Sequence, residues 1–155
     1  MKTIKYFLLT ALLSLSAFAN NVTAKTTVVP KMYMFGFAAS FNDSIVHMTD
    51  IQLLDSVWVD QKSRLLAGRE NYSYQLRDFL AQQRQLPHRT CVVYYSRDRK
   101  KIEKDYLKMK RLYTLGTKKA RKKNKATTFV PYDLRELSPS DFHFQIIDMS
   151  GGVVE

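Results

Sequence analysis

The chain has 155 residues, and its 25 lysines and arginines against 14 aspartates and glutamates give a formal net charge of +11 at pH 7. Its single cysteine, Cys91, excludes a disulfide within the chain, so stability must come from packing. The length suffices for one domain with a hydrophobic core, and no residue pattern commits the chain to a named chemical reaction.

The N-terminus has the pattern of a secretory signal peptide. Two lysines precede an apolar run over residues 6–15, and small residues follow up to Ala19. This run is too short to span a bilayer, and no second apolar segment of about 18 residues follows it. We expect a signal peptide over residues 1–19, with cleavage after Ala19 or Ala24, and an exported protein of the periplasm or the extracellular space.

The first half of the mature chain reads as strands. Residues 20–31 are polar and β-branched and indicate a flexible leader, whereas residues 32–41 are almost continuously apolar and predict a buried strand. The turn-forming residues 42–44 predict a hairpin into a second strand over 45–51. Within the first strand, Gly36 indicates a bulge or a close approach of another group to the backbone.

The middle of the chain predicts strand, helix and strand. Residues 56–59 indicate a further strand or the continuation of the second, and residues 72–85 predict a helix whose apolar positions share one face. Residues 89–96 are β-branched and aromatic on both faces, which favours a central strand.

We expect Ser96 to cap a second amphipathic helix, which has one apolar stripe at positions 102, 106, 109 and 113 and a charged outer face. Two strands, 129–134 and 142–147, close the sequence, and residues 149–155 read as a frayed tail. We therefore predict a single α+β domain over residues 32–148. It should be a two-layer sandwich in which a mixed sheet of about five strands carries two amphipathic helices on one face.

The positive charge is local. Residues 97–125 hold fourteen lysines and arginines and only three acidic side chains. The first half of this segment belongs to the second helix, and the second half lacks apolar periodicity and predicts an exposed loop. The candidate anion-binding residues are Lys101, Lys104 and Lys108 of the helix and Lys118, Lys119, Arg121, Lys122, Lys123 and Lys125 of the loop.

Three interpretations of this basic segment stay open. The charges can be a solvated face that keeps the protein soluble. They can bind an acidic envelope component, such as anionic lipid, lipopolysaccharide or glycan, or an acidic protein. They can also bind nucleic acid, which export makes a poor partner. We expect the second interpretation and a non-enzymatic protein without a cofactor.

Enzymatic chemistry has two candidates, which together define the alternative of a small hydrolase. Cys91 could act as a nucleophile with one of the three histidines as its base, although it lies within a predicted strand as buried cysteines do. Asp141 and His143 could form a pair at spacing i, i+2. The histidines are scattered, and we expect no metal site.

Two tripeptides, Asp43-Ser44-Ile45 and Asp55-Ser56-Val57, resemble the acceptor pattern for periplasmic O-glycosylation in some Gram-negative bacteria.

The stretches FGFAASFNDSIVHMTDIQLLDSVWV, GRENYSYQLRDFL and RTCVVYYSRDRKKIEKDYLKMK resemble a family of small exported proteins from Gram-negative gut bacteria. The resemblance covers roughly residues 32–147; it implies the compartment and the fold, and it brings no known activity. The strand and Lys/Glu-rich helix in CVVYYSRDRKKIEKDYLKMK are also similar to sporulation-related peptidoglycan-binding domains. The glycine that these domains commonly carry after the strand is missing here, and the upstream hairpin is additional.

Overall fold

The computed structural model describes residues 25–115 and 132–150, which form five strands and two helices. The predicted signal peptide, residues 20–24 of the predicted leader, the six loop cations and residues 151–155 of the predicted tail lie outside the described residues. In chain order the elements are β1 (Thr26–Ala39), β2 (Ile45–Thr49), β3 (Gln52–Asp60), α1 (Arg69–Gln83), β4 (Thr90–Ser96), α2 (Arg99–Leu115) and β5 (Asp133–Leu137).

The long strand β1 organises the sheet. Its first part pairs antiparallel with β3, and Phe37 and Ala38 pair with β2 further along the same edge. On the opposite edge, residues 33–39 pair antiparallel with β4. The last strand, β5, lies parallel to β2, so the sheet is mixed. The α+β class and the mixed five-strand sheet with two helices are confirmed.

The two helices pack against opposite faces of the sheet. Successive side chains of β1 point to opposite sides, so neighbouring residues of this strand contact different helices. Met34 belongs to the buried cluster that contains Leu76 of α1. Its neighbour Phe35 belongs to a second cluster, which contains Ile102 of α2. Helix-on-sheet packing is therefore found on both faces, and the expectation that both helices share one face was wrong.

The position of the helices on both faces of the sheet also explains why β4 is apolar on both of its faces. We predicted a central strand, but among the described strands β4 pairs only with β1 and lies at an edge of the sheet. Cys91, Val93 and Tyr95 pack against the cluster of α1, and Tyr94 packs against that of α2. Both faces of the strand are apolar because a helix covers each of them.

Two further boundaries differ from the prediction. Residues 26–31 are not a flexible leader, because they form the start of β1 and pair with β3. Residues 142–147 are not a strand. Phe142 and Phe144 are nevertheless buried, as the alternation predicted, whereas Ile146 is exposed.

Gly36 lies at the crossing of β1 with α1. A Cβ atom at this position would come within 2.6 Å of Cδ2 of Leu76 and 3.1 Å of Cζ of Phe144. The Gly36 amide donates a buried hydrogen bond to Oγ1 of Thr49 at 2.9 Å. The predicted close approach to the backbone is thus present, and it lets α1 lie directly on the sheet.

Candidate anion-binding face

The start of α2 is fixed by side-chain hydrogen bonds. Oδ1 of Asp98 accepts hydrogen bonds from the amides of Lys100 at 2.8 Å and Lys101 at 3.4 Å, which makes Asp98 the cap of the helix. Ser96, the predicted cap, instead accepts a hydrogen bond from the Asp98 amide at 3.1 Å. The helix therefore begins directly after β4, with its first lysines at the end of the sheet.

Aromatic contacts fix the rotation of α2 about its axis. Ile102 is fully buried. The Tyr106 ring meets Phe35 edge to face at 5.2 Å between centroids, and the Tyr113 ring lies 4.7 Å from that of Phe37. Positions 102, 106, 109 and 113 thus face the sheet, as their spacing predicted.

The face of α2 opposite to the core is basic. Lys101, Lys104, Lys108 and Arg111 are exposed and recur at i, i+3, i+7 and i+10, which places them on one side of the helix. The structure thus brings together the three helical cations that we predicted as anion-binding. It adds Arg111, which the same periodicity could have identified.

The four cations of this face differ from other cations of α2 in having no carboxylate partner within the described residues. Two other cations of α2 are paired: Arg99 with Glu103 at 2.8 Å and Lys110 with Glu136 at 2.6 Å. Within residues 25–115 and 132–150, no carboxylate pairs with the four cations of the outer face. Their full charge is therefore available to an external anion.

The surface of α1 provides a contrast. Its exposed arginines form ion pairs with neighbouring carboxylates: Arg69 with Glu70 at 3.2 Å and Arg77 with Asp78 at 2.9 Å. Arg84, directly after the helix, pairs with Asp141 at 2.6 Å. Carboxylates therefore neutralise these cations on the α1 side, whereas the cations on the outer face of α2 have no carboxylate partner among the described residues.

A cleft of about 460 Å³ lies at the N-terminal end of this basic face. Arg64, Arg97 and Lys101 contribute its charges: Arg97 and Lys101 come from the junction of β4 with α2, and Arg64 comes from the connection between β3 and α1. The remaining lining residues are Met32, Tyr95 and Ser96. Sequence reasoning missed Arg64, because only the folded chain brings the β3–α1 connection next to α2.

The connection that positions Arg64 is a tight turn. Oδ1 of Asp60 accepts hydrogen bonds from the amides of Lys62 at 3.0 Å and Ser63 at 2.6 Å. The Arg64 amide donates to the Asp60 carbonyl oxygen at 2.9 Å, and Arg64 has a left-handed backbone with φ of 62°. Such a conformation is uncommon for arginine, and the hydrogen bonds of the turn maintain it.

The six predicted loop cations, at positions 118–125, lie outside the described residues. The chain leaves the described fold at Leu115 and returns at Tyr132. The Tyr132 amide donates a hydrogen bond to the Tyr113 carbonyl oxygen at 3.1 Å, so both ends of this segment are held beside the C-terminal end of α2.

Cys91 is placed poorly for nucleophilic catalysis. Burial raises the pKa of its thiol to about 11, which keeps it protonated at neutral pH. Ala38 of β1 pairs with Cys91 on one side and with His47 on the other. The backbones of Cys91 and His47 are therefore two strand spacings apart, about 10 Å.

In the second enzymatic candidate, the carboxylate of Asp141 is hydrogen-bonded to residues other than His143. Oδ2 of Asp141 accepts hydrogen bonds from the amide of Ser138 at 3.0 Å and from its hydroxyl at 2.7 Å. Oδ1 accepts a hydrogen bond from Arg84 at 2.6 Å. His143 is exposed beyond this turn.

The described residues contain no group of three or more His, Cys, Asp or Glu side chains that could hold a metal ion. None of the described helices has the length and apolar character needed to cross a bilayer. Both serines of the predicted glycosylation tripeptides, Ser44 and Ser56, are exposed.

Comparisons with protein-family models, curated proteins and solved structures give no match for this chain. The two resemblances noted in the sequence therefore stay predictions.

Proposed function

We propose that this chain is a non-enzymatic exported envelope protein that uses α2 and the basic segment after it to bind an acidic partner or surface. The observation that carries the proposal is the stripe of cations on the outer face of α2, Lys101, Lys104, Lys108 and Arg111, with which no carboxylate of the described residues pairs. The signal-peptide pattern over residues 1–19 supports export. The protonated thiol of Cys91 and its separation from His47 support a role other than thiol catalysis.

The expected affinity is modest. A lysine or arginine near an anionic surface contributes about 1 kcal/mol, so the four cations of the stripe together supply about 4 kcal/mol. That free energy corresponds to a dissociation constant of about 1 mM. The six loop cations, at the same value per residue, supply about 6 kcal/mol by themselves, which corresponds to tens of micromolar at best. Such binding localises a protein at a surface without selecting one small ligand.

The test uses retention on a dextran sulfate column, a generic polyanion, and two variants that remove equal charge. One variant carries Lys101→Gln, Lys104→Gln and Lys108→Gln. Its control carries Arg69→Gln, Arg77→Gln and Arg84→Gln on the α1 side, where each arginine is already paired. Glutamine keeps helix propensity close to that of lysine and arginine.

We expect the α2 variant to elute at clearly lower salt than the wild-type protein, and the α1 control to elute close to it. Binding should also be lost by about 0.5 M salt, because exposed charges are screened at that ionic strength. Equal shifts for the two variants would mean that net charge, and not the face of α2, determines binding. Retention that persists at 0.5 M salt would contradict an electrostatic interaction.

The contribution of the loop is measured separately. Replacing Lys118, Lys119, Arg121, Lys122, Lys123 and Lys125 by glutamine should abolish cosedimentation with anionic envelope material and leave thermal stability nearly unchanged. Unchanged cosedimentation would remove the loop from the proposal.

A further inference from the structure

The outer face of α2 carries leucines among its cations. Leu107, Leu112 and Leu115 are all exposed, with Leu107 at 51% and Leu115 at 52% of their full accessibility. Leu107 lies three residues after Lys104, and Leu112 lies four residues after Lys108, so these leucines adjoin cations on the helix surface. An exposed face built only for solubility or for a hydrophilic polyanion gains nothing from these side chains.

A fourth apolar side chain is exposed at the same end of the molecule. Phe41, in the β1–β2 hairpin loop, is fully exposed. The amide of Asp133 donates a hydrogen bond to the Ser44 carbonyl oxygen at 2.9 Å, and the preceding amide of Tyr132 donates to the Tyr113 carbonyl oxygen at 3.1 Å. The hairpin loop and the C-terminal end of α2 are thus held side by side by two consecutive residues.

We propose that the acidic partner is the surface of an anionic lipid bilayer, against which α2 lies with its outer face. This inference rests on the proposed function and names the partner of the same face. Lysine and arginine head groups pair with lipid phosphates, while Leu107, Leu112, Leu115 and Phe41 enter the boundary between head groups and acyl chains. A bilayer is the anionic partner that accommodates both kinds of side chain at once.

The helix is long enough for such a contact. The distance from Lys101 to Leu115 along the axis is about 21 Å, since each residue of an α-helix advances the chain by about 1.5 Å. The long stems of lysine and arginine can lie on the apolar surface while their charges reach the phosphates. The arginines of α1 are paired with carboxylates on the other face of the sheet, so the charge distribution favours one orientation of the protein on the membrane.

The test uses the chain from Asn20 onward, because the predicted signal peptide would itself bind lipid. Every described element lies between Thr26 and Leu137, so this chain retains the whole described fold. The first variant carries Leu107→Gln, Leu112→Gln and Leu115→Gln, and the second carries Phe41→Ser. The control carries Ile146→Ser, because Ile146 is 51% exposed and follows the segment that packs against α1.

Binding is measured with vesicles of phosphatidylcholine that contain phosphatidylglycerol, with pure phosphatidylcholine vesicles, and on dextran sulfate. We expect the triple leucine variant to bind the anionic vesicles at least about tenfold more weakly than the wild-type protein. Its glutamines lack the favourable free energy that leucine side chains gain when they are buried in the bilayer. It should elute from dextran sulfate at the wild-type salt concentration. The Phe41→Ser variant should lose vesicle affinity in the same sense, and the Ile146→Ser control should not.

The outcomes separate this inference from the proposed function. If the wild-type protein binds dextran sulfate but not anionic vesicles, or if the leucine variant binds vesicles as the wild type does, the lipid surface is excluded and the proposed function stands. If the wild-type protein binds neither vesicles nor dextran sulfate, both are overturned. A Phe41→Trp variant adds a direct readout once the emission of Trp58, recorded on the wild-type protein, is subtracted. The emission of the introduced tryptophan should shift to the blue on anionic vesicles, and an unshifted spectrum of the bound protein would overturn the insertion of the hairpin loop.

Discussion

Gln52 of β3 holds the backbone around Phe144 through two buried hydrogen bonds. Its Nε2 donates to the Phe142 carbonyl oxygen at 2.9 Å, and the Phe144 amide donates to its Oε1 at 2.9 Å. A primary amide offers the same donor and acceptor as a peptide group, so Gln52 takes the place of a neighbouring strand. Gln75 of α1 makes the equivalent pair with the backbone of Gln145, at 2.9 and 2.8 Å.

The Gln52→Met variant should be strongly destabilised. Methionine fills a similar volume but leaves the carbonyl of Phe142 and the amide of Phe144 buried without partners. Two unsatisfied buried groups cost about 2–4 kcal/mol in the free energy of unfolding. Urea unfolding, followed by the fluorescence of the single tryptophan, Trp58, measures the change.

Gln75→Met is the matched control, because it removes the same pair of hydrogen bonds at an exposed site. Water can replace the lost partners there, so we expect a change below about 1 kcal/mol. An equal loss in the free energy of unfolding for the two variants would show that burial does not determine how much these hydrogen bonds stabilise the fold.

The segment around Phe144 also shows what the sequence could and could not predict. The alternation of Phe142, His143 and Phe144 correctly predicted which side chains are buried. It did not predict the partner of the backbone, because periodicity reports the environment of side chains, and the partner is a glutamine about ninety residues earlier in the chain. The expected strand was wrong for that reason.

The residues of the candidate site also divide into those that the sequence could predict and those that it could not. Lys101, Lys104 and Lys108 were found from helical spacing alone, because a helix determines which of its own residues share a face. Arg64 and Phe41 were not found, because their positions relative to α2 depend on tertiary packing. The continuous apolar run in β1 contained a signal that was not used: a strand that is apolar on both faces is covered on both, which indicates helices on opposite sides of the sheet.

Gly36→Ala should destabilise the packing of α1 on β1. The added Cβ would lie 2.6 Å from Cδ2 of Leu76, 3.1 Å from Cζ of Phe144 and 3.3 Å from Cγ2 of Thr49. Because Leu76 and Phe144 are themselves buried, neither can move without disturbing the core, and overpacking of this kind costs about 1–3 kcal/mol.

Thermal unfolding measures this effect, and the double variant Gly36→Ala with Leu76→Val tests whether a steric clash is its cause. Shortening Leu76 should recover part of the loss if the clash is its cause. A wild-type melting temperature for Gly36→Ala alone would contradict the close approach.

Asp43→Asn should lower the melting temperature, because it removes the charge that neutralises a buried guanidinium. The side chain of Arg89 is 2% exposed, and it donates to both carboxylate oxygens of Asp43, at 2.9 and 2.6 Å, and to the Ile45 carbonyl oxygen at 2.6 Å. A buried cation without its counter-ion is strongly unfavourable.

Asp133→Asn is the control for that variant, since Asp133 pairs with Arg135, and about half of each side chain is exposed to solvent. Exposed pairs contribute little to stability, so we expect a melting temperature close to that of the wild-type protein. If Asp133→Asn proves as destabilising as Asp43→Asn, the burial of Arg89 is not the cause.

His47 should make the stability of the fold depend on pH between about 6.5 and 4. Burial lowers the pKa of its imidazole to about 4, and the positive charges of Arg89 and Arg135 act in the same direction, against Asp133 and Asp43. The folded protein therefore holds His47 neutral, whereas the unfolded chain binds a proton below about pH 6.5. This contribution is complete above pH 6.5 and is lost as the pH falls towards 4, by at most about 3 kcal/mol.

The measurement is the free energy of unfolding in urea at a series of pH values for the wild-type protein and for His47→Met, which has no proton to bind. We expect the variant to lose most of the slope between pH 6.5 and 4, whatever its stability at neutral pH. His143→Gln, at an exposed position, should keep the wild-type slope. The Nδ1 atom of His47 is buried and has no hydrogen-bond partner among the described residues. A slope that survives in His47→Met would assign the pH dependence to groups other than this imidazole.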